Sequence, residues 1–257
     1  MGRQQKLGVM HPARHLVFAA AMFLGTHSAI AQSEDPAVRV LNASPYSIRA
    51  DAELSAFVTT TAEAAIEQHC SGCHGANLEG QAGVPNLVDY DWLWGVTGFE
   101  LNDVEPVAAI QQTITFGVRN TECPDIEDVS YYGGCADTRY SEMPGYGNAG
   151  FTDEQVDDLT EFAIDLMGGE ADAAAVARSA PLQAVCAECH GEDSRGYKPY
   201  GGPDLTDAIT LYGGDRDSLR DVIANGRLGA CPPWGNELDA ATIKSLAVHI
   251  WNLAQGY

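Results

Sequence analysis

Cys70-Ser71-Gly72-Cys73-His74 and Cys186-Ala187-Glu188-Cys189-His190 decide the reading of this chain. Each is a CxxCH motif followed by glycine, the attachment sequence of a c-type haem. The two thiols add across the haem vinyl groups as thioethers, and the adjacent histidine ligates the iron from the proximal side. A single motif has other readings: chance, half a zinc site, or a dithiol redox pair. Zinc needs further cysteine or histidine ligands nearby, and neither motif has convenient ones. Two such motifs imply two haem c groups, held by Cys70, Cys73, Cys186 and Cys189, with His74 and His190 as iron ligands.

Outward from the motifs the chain repeats. After the first come Pro85-Asn86-Leu87, Ile114-Thr115-Phe116-Gly117 and Met143-Pro144-Gly145-Tyr146-Gly147-Asn148. After the second come Pro203-Asp204-Leu205, Ile223-Ala224-Asn225-Gly226-Arg227 and Cys231-Pro232-Pro233-Trp234-Gly235-Asn236. Each unit closes on a helical pattern: Val156, Leu159, Ala163 and Leu166 match Ile243, Leu246, Ile250 and Leu253. Helix, CxxCH, loops, distal-ligand loop and closing helix is the order of a small class I cytochrome c domain. The expectation is all-α, with two tandem domains of this kind. Residues 32–50 form an N-terminal extension, 51–168 the first domain and 169–257 the second, divided at Gly168-Gly169 because paired glycines end helices. Ala52 to Gln68 reads as the helix before the first haem, with Asp51 as its N-cap, while Pro181 breaks the lead-in to the second.

The distal ligands carry the chemistry. Met143 sits in a Met-Pro loop before a closing helix and is the expected sixth ligand of the first haem; its thioether raises the potential. The second unit has no methionine, and Cys231 stands where Met143 stands. As a thiolate it would bind ferric iron and lower the second potential. A disulfide, a free thiol or a five-coordinate haem are the alternatives at that position. His249 and Lys244 are the other nitrogen donors in the unit, and His69 reads as a surface residue. Cys123 and Cys135 lie in an insertion of the first unit, about residues 117–142, where a local disulfide would contribute about 2–3 kcal/mol. Arg119 and Arg227 follow equivalent glycines and are candidates to face haem propionates; a solvated arginine is the competing reading.

Composition sets the surroundings. Hydrophobic residues make up 45% and charged residues 19%, which marks a globular chain rather than a disordered one. A net charge of −22 repels phosphate backbones and argues against nucleic-acid binding. Arg3, Lys6 and Arg14, an apolar run from Leu16 to Leu24, and Ala29-Ile30-Ala31 read as a signal peptide over residues 1–31. Cleavage would remove three basic residues, take the charge to −25 and export the protein to the periplasm. No later stretch reaches transmembrane length. The expected partners are redox proteins with a basic docking face.

The paired units, with Pro85-Asn86-Leu87 followed by Asp91-Trp92-Leu93-Trp94-Gly95, resemble the periplasmic part of CcoP, the di-haem subunit of cbb-type haem–copper oxidases. The resemblance spans roughly residues 60 to 255. It implies electron transfer rather than catalysis by the chain itself, with a membrane oxidase or dehydrogenase complex as a further partner. Three features depart from that family. The signal replaces its N-terminal membrane helices, the cysteine-bearing insertion is extra, and Cys231 replaces its second methionine. Cys231 also invites comparison with those di-haem thiosulfate dehydrogenases that use a cysteine-ligated haem, although Arg227 alone is basic near it in sequence. A gas-binding haem module is the third alternative.

Overall fold

Side-chain caps set where the helices begin. In a computed structural model of the chain the described residues are 35–89, 91–94, 104–121, 135, 137–197 and 200–256. The expected signal peptide, Gly95 and Cys123 lie outside them. Asp35 caps α1 (Pro36–Asn42) and Ser44 caps α2 (Pro45–Ala50), each with proline in its first turn, where a missing N–H costs nothing. Asp51 accepts from the Glu53 and Leu54 N–H groups and starts α3 (Ala52–Ala65), in agreement with its sequence position. α3 does not continue to Gln68 as an α-helix: it loosens into a π-helical turn, Ile66–Cys70, and then α4 (Ser71–His74). Such single turns re-aim the residues after them, and here those residues are the first CxxCH.

α5 (Val104–Phe116) precedes the first distal-type loop. A Thr152–Gln155 capping box starts α6 (Asp153–Leu166), which ends before Gly168 at φ 74°. α7 (Ala173–Ser179) and α8 (Ala184–His190) are separated at Pro181, and α8 carries the second CxxCH. α9 (Arg216–Asn225) and α10 (Ala240–Ala254) begin at Asp215 and Asp239 caps. Among the described residues the remainder is loops and isolated β-bridges, with no strand. No described helix is long and apolar enough to cross a membrane.

The helices pack in two groups that do not follow the sequence repeat. One core joins Leu54, Val58, Ala62 and Ile66 of the first unit to Leu246, Val248, Ile250 and Trp251 of α10, with Val107 and Ile110 of α5 between them. The other joins Val156 and Leu159 of α6 to Ile223 of α9, with Leu182 and Cys186 packed against them. The closing helix of each sequence unit therefore seals the other unit. This corrects the expectation of tandem domains divided at Gly168-Gly169: the glycines end α6, but packing crosses that point. The physical reason is equivalence. α6 and α10 present apolar faces at matching positions, so either can cover either site, and α10 is the one that also meets α1 and α2.

Residues 32–50 are part of a core rather than an appendage. Val40 and Ile48 are fully buried in the α3–α10 group. Tyr46 meets Trp251 edge-on at 5.7 Å, and Lys244 donates to the Leu41 and Ala43 carbonyls at 2.9 and 2.7 Å. Lys244 thus ties α10 to the extension, which removes it as a candidate iron ligand.

Candidate haem sites

The loop after each CxxCH repeats bond for bond. Gly75 and Gly191 leave α4 and α8 at φ 78° and 80°. Gly80 N–H donates to the His74 carbonyl at 2.9 Å, and Gly196 N–H to the His190 carbonyl at 2.8 Å. Leu87 N–H donates to Leu78 and Leu205 N–H to Ser194, both at 2.8 Å. The chain then places Pro85 under His74 and Pro203 under His190. A carbonyl only accepts, so each imidazole donates from Nδ1, to Pro85 at 2.9 Å and to Pro203 at 2.8 Å. That bond fixes the tautomer and leaves Nε2 as a neutral donor for a metal. Burial lowers the pKa of His190, which also favours the neutral ring, with the Pro203 bond opposing.

The distal loops dock reciprocally. Met143 and Arg227 exchange backbone bonds of 3.0 and 2.8 Å, and Tyr146 and Gly147 donate to the Ile223 and Ala224 carbonyls at 2.9 and 3.1 Å. In the same pattern Cys231 and Val118 exchange bonds of 3.3 and 2.9 Å, while Trp234 and Gly235 donate to Ile114 and Thr115 at 2.9 and 3.1 Å. Each loop therefore sits on the helix end of the other unit. Gly117 and Gly226, at φ 75° and 72°, make the approach possible: a side chain on either would strike the backbone of Cys231 or Met143. Alanine would be strained at both positions for conformation and for space.

These contacts decide which motif meets which sulfur. Met143 and Tyr146 pack in the same apolar cluster as Cys186, and the Tyr146 hydroxyl donates to the Val185 carbonyl at 3.1 Å. Burial pushes the Tyr146 phenol up to about 12, with Cys186, Cys189 and Glu188 adding to it. Burial pushes the Cys231 thiol up to about 11, with further contributions from Cys70 and Cys73 beside it. Trp234, three residues on, meets His69 at 4.8 Å. His69 is thus in contact with the distal loop and not merely at the surface. The expected pairing puts Met143 with the first motif and Cys231 with the second, whereas the packing sets Met143 against Cys186 and the Cys231 loop against the first motif. The loops are equivalent in sequence, and only the packing distinguishes them.

The remaining candidates divide. Cys135 is buried and disulfide-bonded; Cys123 lies outside the described residues. Neither Cys231 nor any of the four motif cysteines forms a disulfide. Arg227 is engaged by its own chain. Its guanidinium pairs with Asp221 and lies 5.0 Å from the Tyr212 ring centre. Arg119 differs: its Nε is buried without a partner, and so is that of Arg139, which sequence reasoning missed. Arg139 lies within the cysteine-bearing insertion, where no repeat signal marks it. His249 sits on α10, and burial lowers its pKa, with Glu63 opposing.

Residues 173–250 match the family model described as "Cytochrome C oxidase, cbb3-type, subunit III". The chain is 37% identical over 220 residues to the cbb3-type cytochrome c oxidase subunit CcoP of Cereibacter sphaeroides, covering 85% of this chain and 69% of that protein. It is 35% identical over 216 residues to CcoP of Azospirillum sp. strain B510, covering 81% and 67%. It is 35% identical over 211 residues to the subunit FixP of Azorhizobium caulinodans, covering 81% and 64%.

Proposed function

Because the chain belongs to the CcoP/FixP family of cbb3-type cytochrome c oxidase subunits, we propose that it is an exported di-haem cytochrome c that passes electrons between periplasmic redox partners. Cys70 and Cys73 hold one haem and Cys186 and Cys189 the other, with His74 and His190 as proximal ligands. The distal ligands cross over: Cys231 serves the haem of the first motif and Met143 that of the second. Haem iron supplies one-electron chemistry; the protein supplies orientation and potential. Nδ1 donation to Pro85 and Pro203 holds each imidazole ready. The thioether of Met143 favours ferrous iron, whereas a Cys231 thiolate favours ferric iron, so the two potentials are far apart.

The observation that carries this reading is the duplicated scheme of histidine-to-proline and loop-to-helix bonds, ending on one sulfur side chain at each site. The negative charge supports a partner with a basic face, a cytochrome or a face of an oxidase complex, whose association rate falls as salt rises. Cys123 pairs with Cys135 in this proposal, consistent with oxidising surroundings.

A potentiometric titration followed by optical and paramagnetic spectra tests the proposal. Two c-type haems are expected, one His/Met and high in potential, the other low-spin with thiolate character when ferric. A mass showing any number but two haems, or haem extracted by acidic organic solvent, overturns it. The crossing has its own test: Cys70→Ala with Cys73→Ala should abolish the thiolate signature and leave the His/Met spectrum. The opposite loss refutes the crossing.

A further inference from the structure

Five arginines of this acidic chain have carboxylate partners among the described residues: Arg39, Arg178, Arg216, Arg220 and Arg227. Arg119 and Arg139 have none among those residues, yet the Nε of each is buried with no hydrogen-bond partner. Both side chains are half-buried, and a guanidinium turned partly away from water with an unpartnered Nε favours an anion beside it. Burial lowers the Arg139 pKa, in keeping with that preference.

The two are built side by side. Arg119 N–H donates to the Arg139 carbonyl at 2.7 Å, and Arg139 N–H to the Gly117 carbonyl at 3.1 Å. Thr138 locks the pair from its hydroxyl, donating to Gly117 at 3.1 Å and accepting from Asn120 N–H at 3.0 Å. Arg119 is held at φ 54°, a left-handed conformation that costs a non-glycine residue about 1–2 kcal/mol. Such strain persists where the surroundings over-determine a residue, as at ligand clamps. The Arg139 guanidinium lies 5.4 Å from the Trp94 ring centre, which fixes its plane. Val118, between Gly117 and Arg119, is the residue that pairs with Cys231. Trp94 lies in the segment following Pro85, the anchor of His74. The pair therefore adjoins the site of the first motif through Val118 and the Cys231 loop, while the Trp94 ring beneath Arg139 packs on Gly201 of the loop after the second motif.

We propose that Arg119 and Arg139 together form the carboxylate clamp for the propionates of the haem held by Cys70 and Cys73. The inference rests on the di-haem reading above. It explains why the insertion carries Arg139 and why Arg227, at the second site, is neutralised by its own chain. Bidentate guanidinium–carboxylate bonds suit arginine and not lysine.

The test uses holoprotein variants Arg119→Gln, Arg139→Gln, both together, and the corresponding lysine changes. Midpoint potentials of both haems are read beside the propionate-bending bands in resonance Raman spectra. Each glutamine change should shift the first haem's midpoint downward, because an uncompensated propionate favours ferric iron, and should move its Raman band. The second haem's midpoint should stay in place. Lysine should recover most of the midpoint but not the band position, and serves also if a glutamine variant loads haem poorly. An unmoved midpoint and band in the double glutamine variant overturns the clamp, as does a shift confined to the second haem. Saturable spectral changes of the wild-type first haem on adding thiosulfate or sulfate, lost in the variants, would make the pair a site for a free oxyanion and overturn it equally. A wild-type mass lacking haem on Cys70 and Cys73 would instead sink the di-haem reading.

Discussion

The two CxxCH sites share a scaffold and differ in almost everything that sets an iron's environment. The histidine anchor, the turn after the motif and the docking of the distal loop match to within about 0.3 Å in each corresponding bond. Against that sameness, Cys231 stands opposite one motif and Met143 opposite the other. His190 is 7% exposed, whereas His74 is half-buried. The arginine after the docking glycine pairs with Asp221 at one site, and near the other two guanidiniums have no carboxylate partner among the described residues. One site is backed by α10 together with α1 and α2, the other by the amphipathic α6. Geometry has been kept and side chains varied, which in the proposed di-haem reading would give two unlike potentials.

Replacing Cys231 by methionine attacks that contrast most directly. The low-potential haem should rise by a few hundred millivolts, within the roughly 0.8 V that axial ligands span, and the other should stay nearly fixed. If potentiometry finds the haem of Cys186 and Cys189 moving instead, the crossed assignment fails. Next in size is the backing of the sites. Trp251→Ala should cost about 3–5 kcal/mol and Leu159→Ala about 2–5 kcal/mol in denaturant unfolding. The first should disturb the spectrum of the haem at Cys70 and Cys73, the second that of the other haem. Tyr146→Phe removes the bond to Val185 and should cost about 1 kcal/mol, with the loss visible only in the Met143-linked spectrum. Smallest are the helix caps. Asp239→Ala and Thr152→Ala should each cost about 1 kcal/mol, and thermal unfolding monitored at each haem should separate them. Equal disturbance of both haems by either cap variant would blur the two-site description.

Much of this was legible in residues. The CxxCH pairs, the Asp51 cap and the buried faces of the closing helices all lie where local pattern puts them. The helices of the extension were not read from sequence, although Asp35-Pro36 and Ser44-Pro45 are the cap signals that start them. What pattern does not carry is partner choice. Ile114 and Ile223 are interchangeable as acceptors, and so are Trp234 and Tyr146 as donors. A repeat makes the right and the exchanged pairing look identical from sequence. Arg139 escaped for a different reason: its meaning arises only when residues 94, 117 and 119 converge on it.

The exchange of closing helices also bears on the order of assembly. α3 begins at residue 52 and its cover, α10, at residue 240, so the first site is finished by an element translated after every other described helix. A nascent chain released stepwise cannot complete its N-terminal half and then move on, the usual course for beads on a string. Thioether attachment at Cys70 and Cys73 would take place on an open half-shell whose apolar wall is still to come. Long-range closure of this kind slows folding, and it binds the fate of the two halves together: a truncation anywhere before residue 240 removes the wall of the site farthest from the cut.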